Sequence, residues 1–343
     1  MGIEQTNFIK ACYGKNDGTI PIWIMRQAGR YLPEYMKIRE EVSFLELCHS
    51  PKLIAEVVRQ PIDRFGLDAG ILFSDILTML EPMGVKLDFP EGGPVIKNPI
   101  KIPSDIKKLA EFDSLKELSY VAKGIKEIKM ILPDLPLIGF AGTPFTLACY
   151  LIEGMGSKHF NKVKTFAHKF PEAMDELLSL LARVVADYSK MQVSAGADAI
   201  QLFDSWGGIL SLSDYHRLSA CPNESIFKAL ADSHIPRILF VNNLAPYIEI
   251  VGELDCEVIG VDYRINLAKA AKLLPGKSIQ GNLEPAVLFG TPGYVADQSR
   301  RILDSLDNHD NLIFNLGHGI MPETPIESVH ALVETVHNYR NYE

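Results

Sequence analysis

No apolar run in the sequence approaches the roughly 18 residues that a membrane span requires. The opening stretch MGIEQTNFIK has neither a basic n-region nor an apolar h-region, so a secretory signal is not expected. Cysteine is scarce: Cys12, Cys48, Cys149, Cys221 and Cys256 are dispersed, with no CxxC pair. That excludes a disulfide framework and predicts free thiols in a reducing cytoplasm. Zinc is not expected either, because a zinc site needs clustered Cys and His at short spacing. Cys48 and His49 are merely adjacent in a helical stretch, and His318 has no nearby cysteine. No GxGxxG follows an apolar run, and AKLLPGKS at 271–278 has Ala271 where a phosphate loop needs its first glycine. Positive charge is also short. The formal net charge is −9, which argues against a nucleic-acid surface. A polyanionic ligand would have to be captured by a local group of arginines.

The composition that remains, 47% hydrophobic and 22% charged over 343 residues, is that of a globular chain with ample core. Eight short apolar runs stand out: 22–25, 68–73, 137–140, 199–203, 238–241, 258–261, 278–280 and 312–315. Helical patterns lie between most of them. Residues 5–13 read as a short helix and 35–49 as a surface helix, and Ser50-Pro51 supplies a cap and a first-turn proline for a helix to about Arg64. Residues 104–132 and 158–194 read as helical, the latter broken near Pro171. The Pro/Gly-rich excursion 81–103 keeps its Val, Leu, Phe and Ile, so it reads as an ordered insertion. Eight strands alternating with helices predict an α/β fold, a single (β/α)8 TIM barrel with loop insertions, as one catalytic domain over 1–343.

The stretch PIWIMRQAGRYLPEY at 21–35 passes abruptly from buried strand to polar loop. Arg26 and Arg30, with Gly29 between them, make a fork-shaped receptor for carboxylate or phosphate. The alternative is pairing with an internal acid such as Glu34. In such barrels reactive groups sit at the C-terminal strand ends. Those positions hold Ser74 and Asp75, Thr143 and Tyr150, Asp204 and Ser205, Asn242 and Asn243, Asp262 to Arg264, Asn282, and His318. Each has a structural alternative. Asp75 suits a helix start with Ser74 as cap, Asp204 and Ser205 suit another cap, Tyr150 suits the core, and Asp262 suits a pair with Arg264. No strand end carries a lysine for Schiff-base chemistry.

The sequence resembles the uroporphyrinogen decarboxylase family. The resemblance is carried by MRQAGRYLPEY at 25–35, FSDIL at 73–77, AGTPFTL at 141–147, YLIEG at 150–154, LFDSWGG at 202–208, GVDYR at 260–264, QGNLEP at 280–285 and NLGHGI at 315–320. It implies a (β/α)8 barrel, a homodimer, no metal or organic cofactor, and removal of the four acetate carboxyls of uroporphyrinogen III as CO2. It also implies substrate binding by Arg26, Gln27, Ala28, Gly29 and Arg30, with the arginines on carboxylates and Asp75 on the pyrrole nitrogens. Tyr150, Phe203, Ser205 and His318 would line the cleft. Asp75 and Arg26 are the catalytic candidates, with the proton donor open among Arg26, His318, Tyr150 and a bound water. The chain departs from the family pattern at LFVNNLAPY, 239–247, where a Gly-rich turn after a basic residue is usual. A tetrapyrrole carrier would share the arginines but not need Asp75, and a corrinoid-dependent methyltransferase would need a zinc-binding His/Cys set.

Overall fold

A computed structural model describes residues 2–90 and 93–339. Its centre is a curled parallel sheet. The strands are β1 (Gly70–Ile71), β4 (Leu137–Gly142), β5 (Ala199–Asp204), β6 (Arg237–Val241), β7 (Val258–Val261), β8 (Ser278–Leu283) and β9 (Leu312–Leu316), hydrogen-bonded in that order. β2 (Leu87–Asp88) and β3 (Val95–Ile96) form a separate antiparallel hairpin within the 81–103 insertion, whose Glu91 and Gly92 lie outside the described residues. The parallel strands are covered on both faces, which is why they read as near-continuous apolar runs; every residue of β4 to β9 is buried.

The expected first strand, 22–25, is not a ladder strand. It makes one isolated parallel bridge, Ile22 to Phe314 of β9. Pro21 has no N–H to give, and three of the next N–H groups go to side chains. Ile22 N donates to Asp68 Oδ2 (2.8 Å), Ile24 N to Gln27 Oε1 (3.1 Å) and Met25 N to Asn315 Oδ1 (3.0 Å). Backbone bonds still run on both sides: Phe314 N to Pro21 O (2.8 Å), and Asp68 N to Ile22 O (2.9 Å) just before β1. The segment is also tied across the interior. Trp23, fully buried, donates Nε1 to Gln280 Oε1 (2.9 Å), and Gln280 Nε2 donates to Gln201 Oε1 (3.0 Å).

At the N-terminal end of the sheet, an acid preceding one strand accepts the first N–H of its neighbour. Asp198 takes Leu137 N (2.8 Å) and Glu257 takes Arg237 N (2.7 Å), as Asp68 takes Ile22 N. Each acid carries a cation or histidine: Lys129 on Asp198, Arg237 on Glu257 and His337 on Asp68. These bonds fix strand ends far from the loops that carry the candidate site.

The helices follow the sequence signals with two refinements. Ser50 caps the helix Pro51–Phe65, which ends at Gly66 in the left-handed region, φ 70°. Pro171 opens the helix Pro171–Ala195, producing the expected break. The stretch 35–49 is two helices, Pro33–Glu41 and Phe44–His49, divided by Val42 and Ser43. Ser43 and Glu46 form a capping box, Ser43 Oγ accepting Glu46 N and Glu46 Oε2 accepting Ser43 N. The stretch 104–132 begins as the 3-10 turn Pro103–Lys108, continues as a single helical turn, Ser114–Glu117, and becomes a longer helix over Ser119–Ile131. No described helix is long and apolar enough to cross a membrane.

Candidate active site

The candidate residues gather at the C-terminal mouth of the sheet. Arg26 leaves the 21–25 segment with φ 67°, in the left-handed region that a non-glycine residue rarely occupies. The turn is held by Gln27, which is 1% exposed; besides the Ile24 bond, its Nε2 donates to Ala69 O (3.2 Å). Tyr31 Oη donates to Gln27 O (2.8 Å). The Gln27 side chain therefore braces the loop from the inside. Ala28 and Gly29 are half-buried, while Arg26 and Arg30 are exposed. Glu34 does not neutralise them: it is gripped by Arg64 through two bonds of 2.7 and 2.8 Å. Among the described residues no acid pairs with either Arg26 or Arg30.

Asp75 follows β1 at the mouth. Its Oδ1 accepts Leu77 N (2.8 Å), and Ser74 Oγ lies 3.0 Å from Thr78 Oγ1. The local-turn alternative is thus partly realised, with one carboxylate oxygen used and the other open. Burial pushes the Asp75 carboxyl up from 3.8 to about 6, against the opposing pull of the Leu77 N–H and the Arg26 cation. The Tyr150 phenol is raised by burial and feels both Asp75 and Arg26.

His318 stands between two glycines that neighbours cover closely. A Cβ on Gly317 would lie 2.7 Å from Tyr263 Cα, and one on Gly319 2.5 Å from Arg26 Cδ. The Arg26 side chain therefore runs directly over Gly319. Burial, then the cations of Arg26 and Arg264, hold the His318 imidazole down from 6.5 to about 4, so it is neutral at pH 7. Its ring lies 6.3 Å from Phe240, which meets Phe203 at 6.0 Å, which meets Phe140 at 5.6 Å. These three buried rings, from β6, β5 and β4, form an apolar floor beside polar groups. Of the three, the sequence reading singles out only Phe203; Phe140 and Phe240 are visible there as aromatic residues in consecutive buried runs.

Asp204 is fully buried without a cation. It accepts from Ser219 Oγ (2.7 Å), Thr143 Oγ1 (3.1 Å) and Gly207 N (3.0 Å), so it ties the turn Gly207–Ile209 to its surroundings, while the N-cap of that turn is Trp206 and neither Asp204 nor Ser205. This fixes Ser205, half-buried, and Trp206, whose ring lies 6.3 Å from Tyr150. The departure after β6 is ordered. Asn242 Nδ2 donates to Ser205 O (3.3 Å), and Asn243 takes φ 61°. Asp262 and Arg264 do pair, at 2.9 Å. Lys277, from the near-phosphate loop, is spent on the carbonyls of Leu254 and Cys256. No group of three His, Cys, Asp or Glu side chains suited to a metal converges among the described residues.

The architecture is shared with a methyltransferase from Methanosarcina mazei, with a TM-score of 0.84 at 19% identity over 99% of both chains. It is shared more loosely with a B12-independent methionine synthase from Shewanella sp. W3-18-1, with a TM-score of 0.57 at 13% identity over 95% of this chain and 98% of that one. At such identities the likeness defines only an α/β fold with helices around a curled parallel sheet. Sequence is more specific. The family described as uroporphyrinogen decarboxylase (URO-D) matches residues 4–339. The uroporphyrinogen decarboxylase of Pelobacter propionicus is 45% identical over 335 residues, and that of Citrifermentans bemidjiense 44% over 334, each match covering 97% of this chain and 98% of the relative. The chain belongs to the uroporphyrinogen decarboxylase family.

Proposed function

We propose that this protein removes the four acetate carboxyls of uroporphyrinogen III, giving coproporphyrinogen III and CO2 in haem biosynthesis, with no added cofactor. The observation that carries the reading is the grouping of Asp75, a carboxylate raised by burial, with Arg26, a guanidinium that no described acid neutralises. Decarboxylation leaves an electron pair that needs a sink, and a pyrrole protonated on a ring carbon is one. Breaking the bond from the acetate methylene to its carboxylate sends the pair into the cationic ring and releases CO2. An exocyclic methylene results; a proton added there and the ring proton lost restore the pyrrole with a methyl. Each cycle consumes one proton net.

In this scheme Asp75 lies against the pyrrole N–H groups and stabilises the ring cation, which is electrostatic preorganisation. At pH 7 a carboxyl titrating near 6 is mostly ionised, and a cation beside it would complete the ionisation. Arg26 and Arg30 hold substrate carboxylates, with the backbone of Gln27, Ala28 and Gly29 shaping the loop. Phe203 supplies apolar floor, and Tyr150, Ser205 and His318 line the walls. Neutral His318 and Tyr150 are both able to pass a proton, and Arg26 or a bound water remains an alternative donor. The 21–25 segment, bonded to β9 on one side and to the residues before β1 on the other, supports closure of the sheet into an eight-stranded barrel over one catalytic domain, 1–343. By family resemblance the assembly is a cytoplasmic homodimer.

The test is direct. Anaerobic uroporphyrinogen III and purified protein should release CO2 and yield coproporphyrinogen III without added metal. Folded protein that releases none removes the reading.

A further inference from the structure

Arg264 is arranged as a receptor with one side left open. It follows β7, and its Nη1 donates to Asp262 Oδ2 (2.9 Å) and to Asn242 Oδ1 (3.0 Å), which uses both hydrogens of that nitrogen. Asp262 is fully buried and is itself fixed by the N–H groups of Asn243 and Arg264. The guanidinium carbon lies 4.4 Å from the centre of the Tyr263 ring, which sets the plane of the group. Asn242 also holds Ser205 O, so the same amide joins the Arg264 head to the Ser205 loop. What remains is the Nε–Nη2 edge. No described residue accepts from it, and the side chain is 42% exposed. That edge presents two parallel N–H groups, the geometry that binds a carboxylate through two bonds.

We propose that Arg264 binds a further carboxylate of the substrate, with Asp262, Asn242 and Tyr263 as its positioning residues. This rests on the decarboxylase reading and deepens it. The Arg26–Arg30 loop leaves the chain between β9 and β1, whereas Arg264 leaves β7, so carboxylates spread around one macrocycle meet guanidinium groups from two parts of the rim. The Gly317-His318-Gly319 turn lies against Tyr263 on one side and under the Arg26 side chain on the other, so the two arginine-bearing loops flank His318, whose imidazole both cations push down. A preorganised planar fork is suited to this work, and an ammonium would not reproduce it.

The experiment measures CO2 release from uroporphyrinogen III against substrate and salt concentration for wild type, Arg264→Gln, Arg264→Lys and Asn242→Ala, each with a thermal melt. Arg264→Gln is expected to raise KM about tenfold or more, the loss of a charge-assisted pair. Its kcat should stay within about twofold, because binding common to ground and transition states is what is lost. Its KM should also rise less steeply with salt. Arg264→Lys should recover only part of KM, and Asn242→Ala should raise KM less than Arg264→Gln. If Arg264→Gln does not fold, Arg264→Lys, which keeps a cation beside Asp262, decides. Wild-type KM and salt dependence in folded Arg264 variants, with an active wild type, overturn the assignment of Arg264 alone. A wild type without activity overturns the decarboxylase reading and this inference with it.

Discussion

Replacing Asp75 with Asn should stabilise the free protein while disabling it. Asn is nearly isosteric, and its side-chain oxygen can still accept Leu77 N, so the local turn survives. The charge is lost. Burial raises the Asp75 carboxyl from 3.8 to about 6. A raised carboxyl binds its proton more tightly folded than unfolded, so ionisation costs stability as pH climbs from about 4 to about 6 and the cost is constant above. At about 1.4 kcal/mol per pH unit, that rise amounts to roughly 3 kcal/mol at neutral pH, an upper figure for a group still partly in contact with water. Urea titrations of wild type and Asp75→Asn should therefore agree near pH 4 and diverge by up to that amount at pH 7.5. Decarboxylation by the variant should fall about 10²–10³-fold if the carboxylate stabilises a pyrrole cation. Asp75→Glu keeps the charge but misplaces it and should rank above Asp75→Asn in turnover. A stability difference that does not grow with pH would refute the desolvation argument, and near-normal CO2 release by Asp75→Asn would refute the catalytic one.

Other outcomes follow from the same site. Arg26→Ala and Arg30→Ala should each lower kcat/KM at least about tenfold, and Arg26→Lys should recover only part, since an ammonium lacks the planar fork; wild-type kinetics in either alanine variant would remove that arginine from the site. The imidazole of His318, held near 4, should show no NMR titration between pH 5.5 and 8, and a midpoint near 6.5 would mean that it is neither buried nor beside the two arginines in solution. Dialysis against EDTA should leave CO2 release unchanged, and loss reversed by zinc would contradict cofactor independence. Light scattering should give the mass of a dimer, and a monomer mass at assay concentration would contradict the homodimer.

Much of this was legible because buried parallel strands write themselves as unbroken apolar runs. AIQLF and ILFV fell within a residue of β5 and β6. Strand-end polar residues were equally plain once the runs were aligned. Long-range substitution for backbone partners was not visible. The 22–25 run looks like any other strand, yet its N–H groups are taken by Asp68 and Asn315, which are distant in sequence. The division of 35–49 was legible and missed: Ser43-Phe-Leu-Glu46 is a capping box inside an apparently continuous pattern. For Gln27, the sequence places the residue in the arginine loop, but the inward turn of its amide onto Ile24 N and Ala69 O is set by neighbours that no spacing records. Arg264 stood at a strand end in the sequence; its open edge depends on where Nη1 is spent, which no spacing records.

The tie from Trp23 to Gln280 to Gln201 gives the interior a hold on the rim. Arg26 is three residues from Trp23 along a segment held by a few backbone bonds on either side and not by a continuous ladder. Gln280→Leu would strand a buried indole N–H, a cost of about 1–3 kcal/mol that a small rotation of the segment could relieve. Any such rotation would shift the Arg26 side chain, which runs over Gly319 where a Cβ would not fit. Sequence drift at two glutamines that no ligand can touch would thus re-aim the anion receptor without altering its chemistry. A change in the receptor's aim can then originate in the hidden axle of the wheel, with every residue on its rim unchanged.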